Sequence, residues 1–255
     1  ISIFRRKQMY LLLIYFLILV VPVAVMPRYI KSGSASPYRI VLYGTIGTAA
    51  AIVIVFMAAS MSGQGIFAQI SGMIETMAAE LAKNPMVAET LGMASASQAE
   101  RTKMLTQLYD NVFAVMPACL MILGLVVSYV EYIIISRIMA RRFQVKRMPK
   151  FREFSWPGSA FMGVMGMYLI SWVLTATGVF ADNMVYMNMD MLFNFVFSIQ
   201  GVSVVLMFCH MKRVPKAAGV VIAVVMWMIY VGRMALLIIG MFDLILGLKR
   251  RIKGR

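Results

Sequence analysis

Residues 40–61, IVLYGTIGTAAAIVIVFMAASM, run for 22 positions without a charged side chain. A helix of that length rises about 33 Å, enough to cross the roughly 30 Å hydrocarbon core of a bilayer. In water such a segment would have to be covered on every side. In lipid it needs only internal backbone hydrogen bonds, which a helix supplies. Gly44, Thr48 and Ala51 fall near one face of it, as do Gly47 and Ala51. Small residues at that spacing let two helices approach closely.

The pattern recurs along the chain. MYLLLIYFLILVVPVAVM, residues 9–26, is uncharged and just long enough to span, with Pro22 and Pro27 placed to bend its far end. Further spans are expected over 112–136, 157–180 and 185–211, with an apolar run over 217–248. Trp156-Pro157 opens the fourth, where a proline loses no helical hydrogen bond. Composition agrees: 62% of the 255 residues are hydrophobic and 14% charged, against about 45–50% and about 25% in soluble domains. The expected fold is all-α, a polytopic transmembrane helical bundle of about six to seven membrane segments in one membrane domain.

The long polar stretch 62–111 is not a coil. Ile66, Phe67, Ile70, Met73, Ile74, Met77 and Leu81 repeat with a helical period. Asn84-Pro85 interrupts that period, and Ser97-Gln98-Ala99-Glu100 has the form of a capping box. The reading is an amphipathic helical hairpin over the bundle, its second helix running unbroken into the third span.

Charge gives the threading. The net charge is +15. Residues 137–153, 212–216 and 249–255 hold seven, three and five basic residues, whereas 62–111 holds three against five acidic ones. Short cytoplasmic loops are rich in Lys and Arg. The basic stretches, including the loop 137–156, are therefore placed in the cytoplasm and 62–111 outside it, in a multi-pass protein of the cell membrane. Anionic lipid headgroups are the counter-charge such loops meet, and no nucleic-acid partner is expected. Basic residues at both ends of 217–248 call for an even number of crossings, met by a shallow hairpin turning near Gly232-Arg233; a single tilted helix is the alternative. Arg5, Arg6 and Lys7 precede the first span and Arg28, Lys31 and Arg39 follow it, which leaves that span's orientation open.

Charged groups are costly at mid-bilayer, by about 2.5–3.5 kcal/mol on insertion scales, and so mark candidate sites. Five polar residues in the last two apolar stretches are candidates for a ligand site: Asp190, Asn194, Gln200, Arg233 and Asp243. Each has a plainer reading. Asp190 stands near the end of its span, Arg233 at a turn, Asp243 within reach of Lys249 or Arg250, and Asn194 and Gln200 can bridge helices. No catalytic constellation is present: His210 is the one histidine, and neither a phosphate-binding loop nor GxSxG occurs. Cys119 and Cys209 lack metal or redox spacing, and the 26 methionines read as apolar packing. Neither a metal nor a cofactor is expected, and the chain is not read as an enzyme.

MPKFREFSWP at 148–157, Asn194 followed by Ser198-Ile199-Gln200-Gly201, and Gly240-Met241-Phe242-Asp243 ahead of Lys249-Arg250-Arg251 resemble stretches of the YybS-like family of uncharacterised bacterial predicted membrane proteins. The resemblance covers residues 40–255 in layout and implies a multi-span protein without an assigned chemistry. Family members usually carry further spans at the start, so this chain, opening at Ile1, reads as truncated there. Its hydropathy also looks similar to that of the substrate-binding S components of energy-coupling-factor transporters. Three functions follow as alternatives: a small-molecule binding or transport component, a membrane scaffold or assembly protein with a membrane or cytoplasmic protein partner, and an intramembrane enzyme.

Overall fold

The computed structural model describes residues 2–61, 66–156, 158–179 and 183–249. All regular structure among them is helical. In chain order the helices are α1 (Ser2–Ser32), α2 (Pro37–Met61), α3 (Ile66–Ala82), α4 (Pro85–Thr90), α5 (Gln98–Ala114) and α6 (Met116–Met139). A single 3₁₀ turn at Phe151–Glu153 precedes α7 (Gly158–Ala176), α8 (Met184–Met211), α9 (Lys216–Met228) and α10 (Tyr230–Leu246). The helix over residues 40–61 is α2.

Four of these are long and apolar enough to cross a membrane: Leu12–Ser32, Pro37–Val55, Met116–Met139 and Met184–Met211, and the bent pair α9–α10 brings the number to five at most. The fourth expected span is the shorter α7, apolar over Phe161–Ala176; Pro157 and Phe180, its expected limits, lie outside the described residues. α1 runs on through Pro22 and Pro27 to Ser32. The expected unbroken run from the polar stretch into the third span is corrected, because α5 ends at Ala114 and α6 begins at Met116, with Val115 between them at φ −91°, ψ 1°. Pro117 explains the break: it has no N–H for the carbonyl four residues back and its ring crowds that carbonyl.

The contacts group into two units, one of residues 1–25 and 43–128, the other of 26–42 and 129–255. In the first, Ile14 and Ile18 pack with Ile52, backed by Leu120 and Val127. The small-residue face of α2 is used on two sides: Gly47 leaves room for Val21 of α1, and Gly124 of α6 lies against the Thr48 methyl. Helices α3 and α5 pack side by side around Ala78, Ala82 and Leu105. Asn84 caps α4, accepting from the Met86 N–H at 3.0 Å. The capping box is formed in full: Ser97 Oγ accepts from the Glu100 N–H, and Glu100 Oε2 accepts from the Ser97 N–H at 2.8 Å.

In the second unit Ala35, in the turn after α1, is buried with Ile40, Val41 and Tyr132. Lys146 donates to the Gly33 carbonyl at 2.8 Å and Tyr132 to the Lys146 carbonyl at 2.8 Å. The basic stretch after α6 therefore lies on the turn between α1 and α2. The unit is organised around α8, of which 56% is buried, against 22–33% for the other three long helices. An aromatic ladder of Tyr168, Phe193, Phe197 and Phe161 joins α7 to it, with ring centroids 4.3–5.6 Å apart. Gly201 and Gly240 bring α10 close against α8. A Cβ at Gly201 would run into the Leu236 carbonyl, and one at Gly240 into the Phe197 carbonyl. This is the small-residue route to close helix approach in membranes.

Between α9 and α10 the chain bends by 108°. The break is at Ile229, which has extended backbone at φ −88°, ψ 133°, three residues before the expected turn at Gly232-Arg233. Gly232 still matters there, since a Cβ on it would meet the Met226 carbonyl across the break.

A buried polar clamp as candidate functional site

Gln200 is fully buried on α8, one residue before the glycine contact with α10. With no water to satisfy it, its amide must find protein partners. Its Nε2 donates to Asp243 Oδ2 of α10 at 2.5 Å, and its Oε1 accepts from the Trp156 N–H at 3.2 Å. The Trp156 indole N–H donates to the Val196 carbonyl at 3.0 Å, one turn earlier on the same helix. Ser203, also buried, donates to the carbonyls of Phe151 and Phe154, each at 2.9 Å. One face of α8 thus holds the whole segment 151–156.

Asp243 joins the chain's last described turn to this cluster. Gly247, at φ 64°, ends α10 in a left-handed turn. That turn brings the Lys249 backbone N–H to Asp243 Oδ1 at 2.8 Å and the Lys249 ammonium to Oδ2 at 3.2 Å. The ammonium also donates to the Phe154 carbonyl and to Ser203 Oγ at 3.0 Å. The Asp243 and Lys249 side chains are only 3% and 11% exposed. Burial pushes the Lys249 ammonium below its usual range, and the Asp243 carboxylate opposes that shift.

The five candidate residues separate into two groups. Gln200 and Asp243 meet in the clamp. Asp190 and Asn194 lie together nearer the start of α8, where the Asn194 amide donates to the Asp190 backbone carbonyl at 2.8 Å. The exposed Arg233 guanidinium lies 6.0 Å from the Tyr230 ring. Asn194 and Gln200 are six residues apart, about 9 Å along the helix. Asp190 and the Asp243 partner Gln200 are ten apart, about 15 Å. The expected pairing of Asp243 with the basic tail is made by Lys249; Arg250 lies outside the described residues.

Lys249 is anticipated as a partner of Asp243, whereas Trp156 is read only as opening the fourth span and Ser203 is not singled out, although both belong to the clamp. The signal for Trp156 and Lys249 lay in the three short stretches that resemble one family; Ser203 stands outside them. Those stretches are far apart in sequence, and here they converge: Phe154 and Trp156 from the first, Gln200 and Gly201 from the second, Gly240, Asp243 and Lys249 from the third.

Residues 3–244 match the family described as predicted membrane protein DUF2232. The chain belongs to that family. It is also 26% identical over 175 residues to the uncharacterised protein YybS of Bacillus subtilis strain 168, an alignment covering 66% of this chain and 55% of that protein. The chain thus spans little more than half the length of this curated relative. No solved structure matches it. The family has the membrane character expected from the apolar helices, and its description assigns no chemistry.

Two pockets flank the clamp's helix at opposite ends, and none of the five candidates lines either. One, of about 340 Å³, is bordered by Trp172, Thr175, Asn183 and Tyr186 between the end of α7 and the start of α8. The other, of about 330 Å³, lies where α8 gives way to α9.

Proposed function

We propose that this chain is a non-transporting membrane scaffold, in which α8 and α10 form a fixed core that holds a basic loop and the C-terminal turn at the membrane surface for a protein partner. The clamp carries this reading. Gln200, Asp243, Lys249 and Ser203 are each committed to partners inside the protein, so little polar capacity is left there for a substrate. Separating α8 from α10, as alternating access on this axis would require, strips the buried Asp243–Lys249 pair of its hydrogen bonds to Gln200 and Ser203 of α8, which costs about 1–3 kcal/mol for each buried group left without its partner.

The proposed threading puts the turn at 33–36, the loop 137–156 and residues 212–216 and 247–249 on the cytoplasmic face. Lys146 reaches Gly33, Lys216 and Lys150 line one pocket, and Lys249 reaches Phe154. Both ends of the α9–α10 pair then return to the same loop, which supports a re-entrant pair. The helical hairpin α3–α5 is placed on the opposite, extracytoplasmic side by its acidic balance.

The test uses spin labels at the exposed positions Phe208 and Phe242, with Cys119 and Cys209 replaced by alanine, in bilayer nanodiscs. A scaffold gives one narrow distance distribution and co-purifies at fixed stoichiometry with a partner in mild detergent. Two exchanging distance populations would overturn the reading in favour of transport. A small-molecule binding component remains the second reading because the pocket beside α7 contains the Thr175 hydroxyl, which has no hydrogen-bond partner among the described residues.

A further inference from the structure

The pocket at the α8–α9 junction collects basic side chains from two separate parts of the chain. Lys150 and Arg152 come from the loop before α7, His210 from the last turn of α8, and Lys216 from the first turn of α9. Nothing in the local sequence requires these residues to share one cavity. The Ser203 and Lys249 hydrogen bonds to the Phe151 and Phe154 carbonyls fix the backbone over 151–154, which carries Arg152 and adjoins Lys150. Against three permanent positive charges the neighbouring acid is Glu153, 3.9 Å from the Arg152 Nε and itself exposed. Lys150 and Lys216 have no ion-pair partner among the described residues.

Two further features suit an anion. Helix α9 starts after Pro215, which offers no side-chain cap. Its first N–H groups are therefore open at the positive end of a 13-residue helix. The turn before it is held in an unusual form: Arg213 occupies the left-handed region at φ 57°, where glycine is the usual residue. Its N–H donates to the His210 carbonyl and the Val214 N–H to the Cys209 carbonyl. The turn is thereby closed on α8, and α9 departs beside the loop cations rather than away from them.

Beside these basic residues the pocket has an apolar lining, which includes Leu206, Cys209 and Val220. At about 330 Å³ the cavity is within the range of ligand sites. A lining that mixes basic and apolar residues matches a phosphate-bearing amphiphile better than a fully solvated ion.

We propose that Lys150, Arg152, His210 and Lys216 form a discrete binding site for a phosphoryl anion at the membrane surface, supplied by a phospholipid headgroup or by a free phosphate. This goes beyond general attraction of basic loops to anionic lipid, which depends on total charge and not on where the charge sits. It does not depend on the scaffold reading, since a scaffold and a transporter could each hold such a ligand.

The full chain, purified in mild detergent and stripped of lipid, is titrated with phosphatidylglycerol, with phosphatidylcholine and with inorganic phosphate, and retained ligand is counted by native mass spectrometry. The K150Q/K216Q variant removes two pocket cations. R141Q/R142Q removes the same charge from exposed positions that do not line the pocket. V220W fills the pocket without changing charge and provides an independent arm should the first variant fold poorly. One phosphatidylglycerol per chain is expected, weakened at least tenfold by K150Q/K216Q and by V220W and unchanged by R141Q/R142Q. Phosphatidylglycerol retained with no competition from millimolar phosphate names the lipid headgroup as the source; saturation by phosphate with the same sensitivity to K150Q/K216Q names the free anion. Equal weakening by K150Q/K216Q and R141Q/R142Q, or no discrimination between the two lipids, would overturn the proposal.

Discussion

Removing Asp243 tests the clamp most directly. In Asp243→Ala three donors lose an acceptor at once: the Gln200 amide, the Lys249 backbone N–H and the Lys249 ammonium. Gln200 Oε1 still accepts from the Trp156 N–H, but its Nε2 keeps only a marginal contact with Ser155 Oγ at 3.5 Å. The ammonium keeps the Phe154 carbonyl and Ser203 but loses its counter-charge while remaining 11% exposed. Breaking one side of a buried pair in this way costs about 3–5 kcal/mol. Lys249→Met should cost less, about 1–3 kcal/mol, because the carboxylate retains the Gln200 amide and the residue-249 backbone N–H as donors. The double variant removes both charges, so it should be milder than the sum of the two by about 2 kcal/mol. SDS-driven unfolding of the full chain in mixed micelles measures this, with fluorescence reporting through Trp156, itself part of the cluster. Additivity within about 0.5 kcal/mol would refute the reasoning, since it would mean that Asp243 and Lys249 do not act on one another in the folded protein.

Two further predictions follow from local geometry. Gly201→Ala or Gly240→Ala forces α8 and α10 apart and should cost about 1–3 kcal/mol in the same assay, whereas Gly163→Ala, where nothing stands within 4 Å of the added methyl, should be neutral or slightly stabilising; equal effects at all three positions would contradict the close crossing. Glu100 is held below the usual carboxylate range by its hydrogen bonds with Ser97, so the capping box contributes fully above that range and is lost as pH falls through the lowered value; the protection factors of the Ser97 and Glu100 amides, taken relative to intrinsic exchange at each pH, should fall on acidification in the native chain and stay constant in Glu100→Gln.

Much of the secondary structure was legible in the chain because its signals are local. An apolar run long enough to span reports itself by length, as Ile40–Met61 does, and Ser97 and Glu100 lie within one turn. Where a boundary was missed, a local feature had been underweighted: Pro117 splits α5 from α6 although apolar and helical character continues through it. The bend at Ile229 was placed three residues late because glycine suggested the turn itself. The structure instead uses Gly232 as the thin point that lets the first turn of α10 pass the end of α9.

The candidate site was legible only in part. Gln200 and Asp243 were singled out because polar groups among apolar neighbours need partners, and that argument requires one residue at a time. Which partners they take is a different question. Asp243 is 43 residues from Gln200, and Lys249 is 95 from the Phe154 carbonyl it reaches. Hydropathy carries no record of which face of α8 turns toward α10, so Asp190 and Asn194 looked like members of the same site when they sit about two turns away. What the sequence by itself determined is that this protein lives in a membrane, as helices, with its basic residues between them, because transfer into lipid is additive along the chain. What only the tertiary structure decided is which few polar groups meet, because that depends on two glycines setting how closely, and at what rotation, α8 and α10 cross.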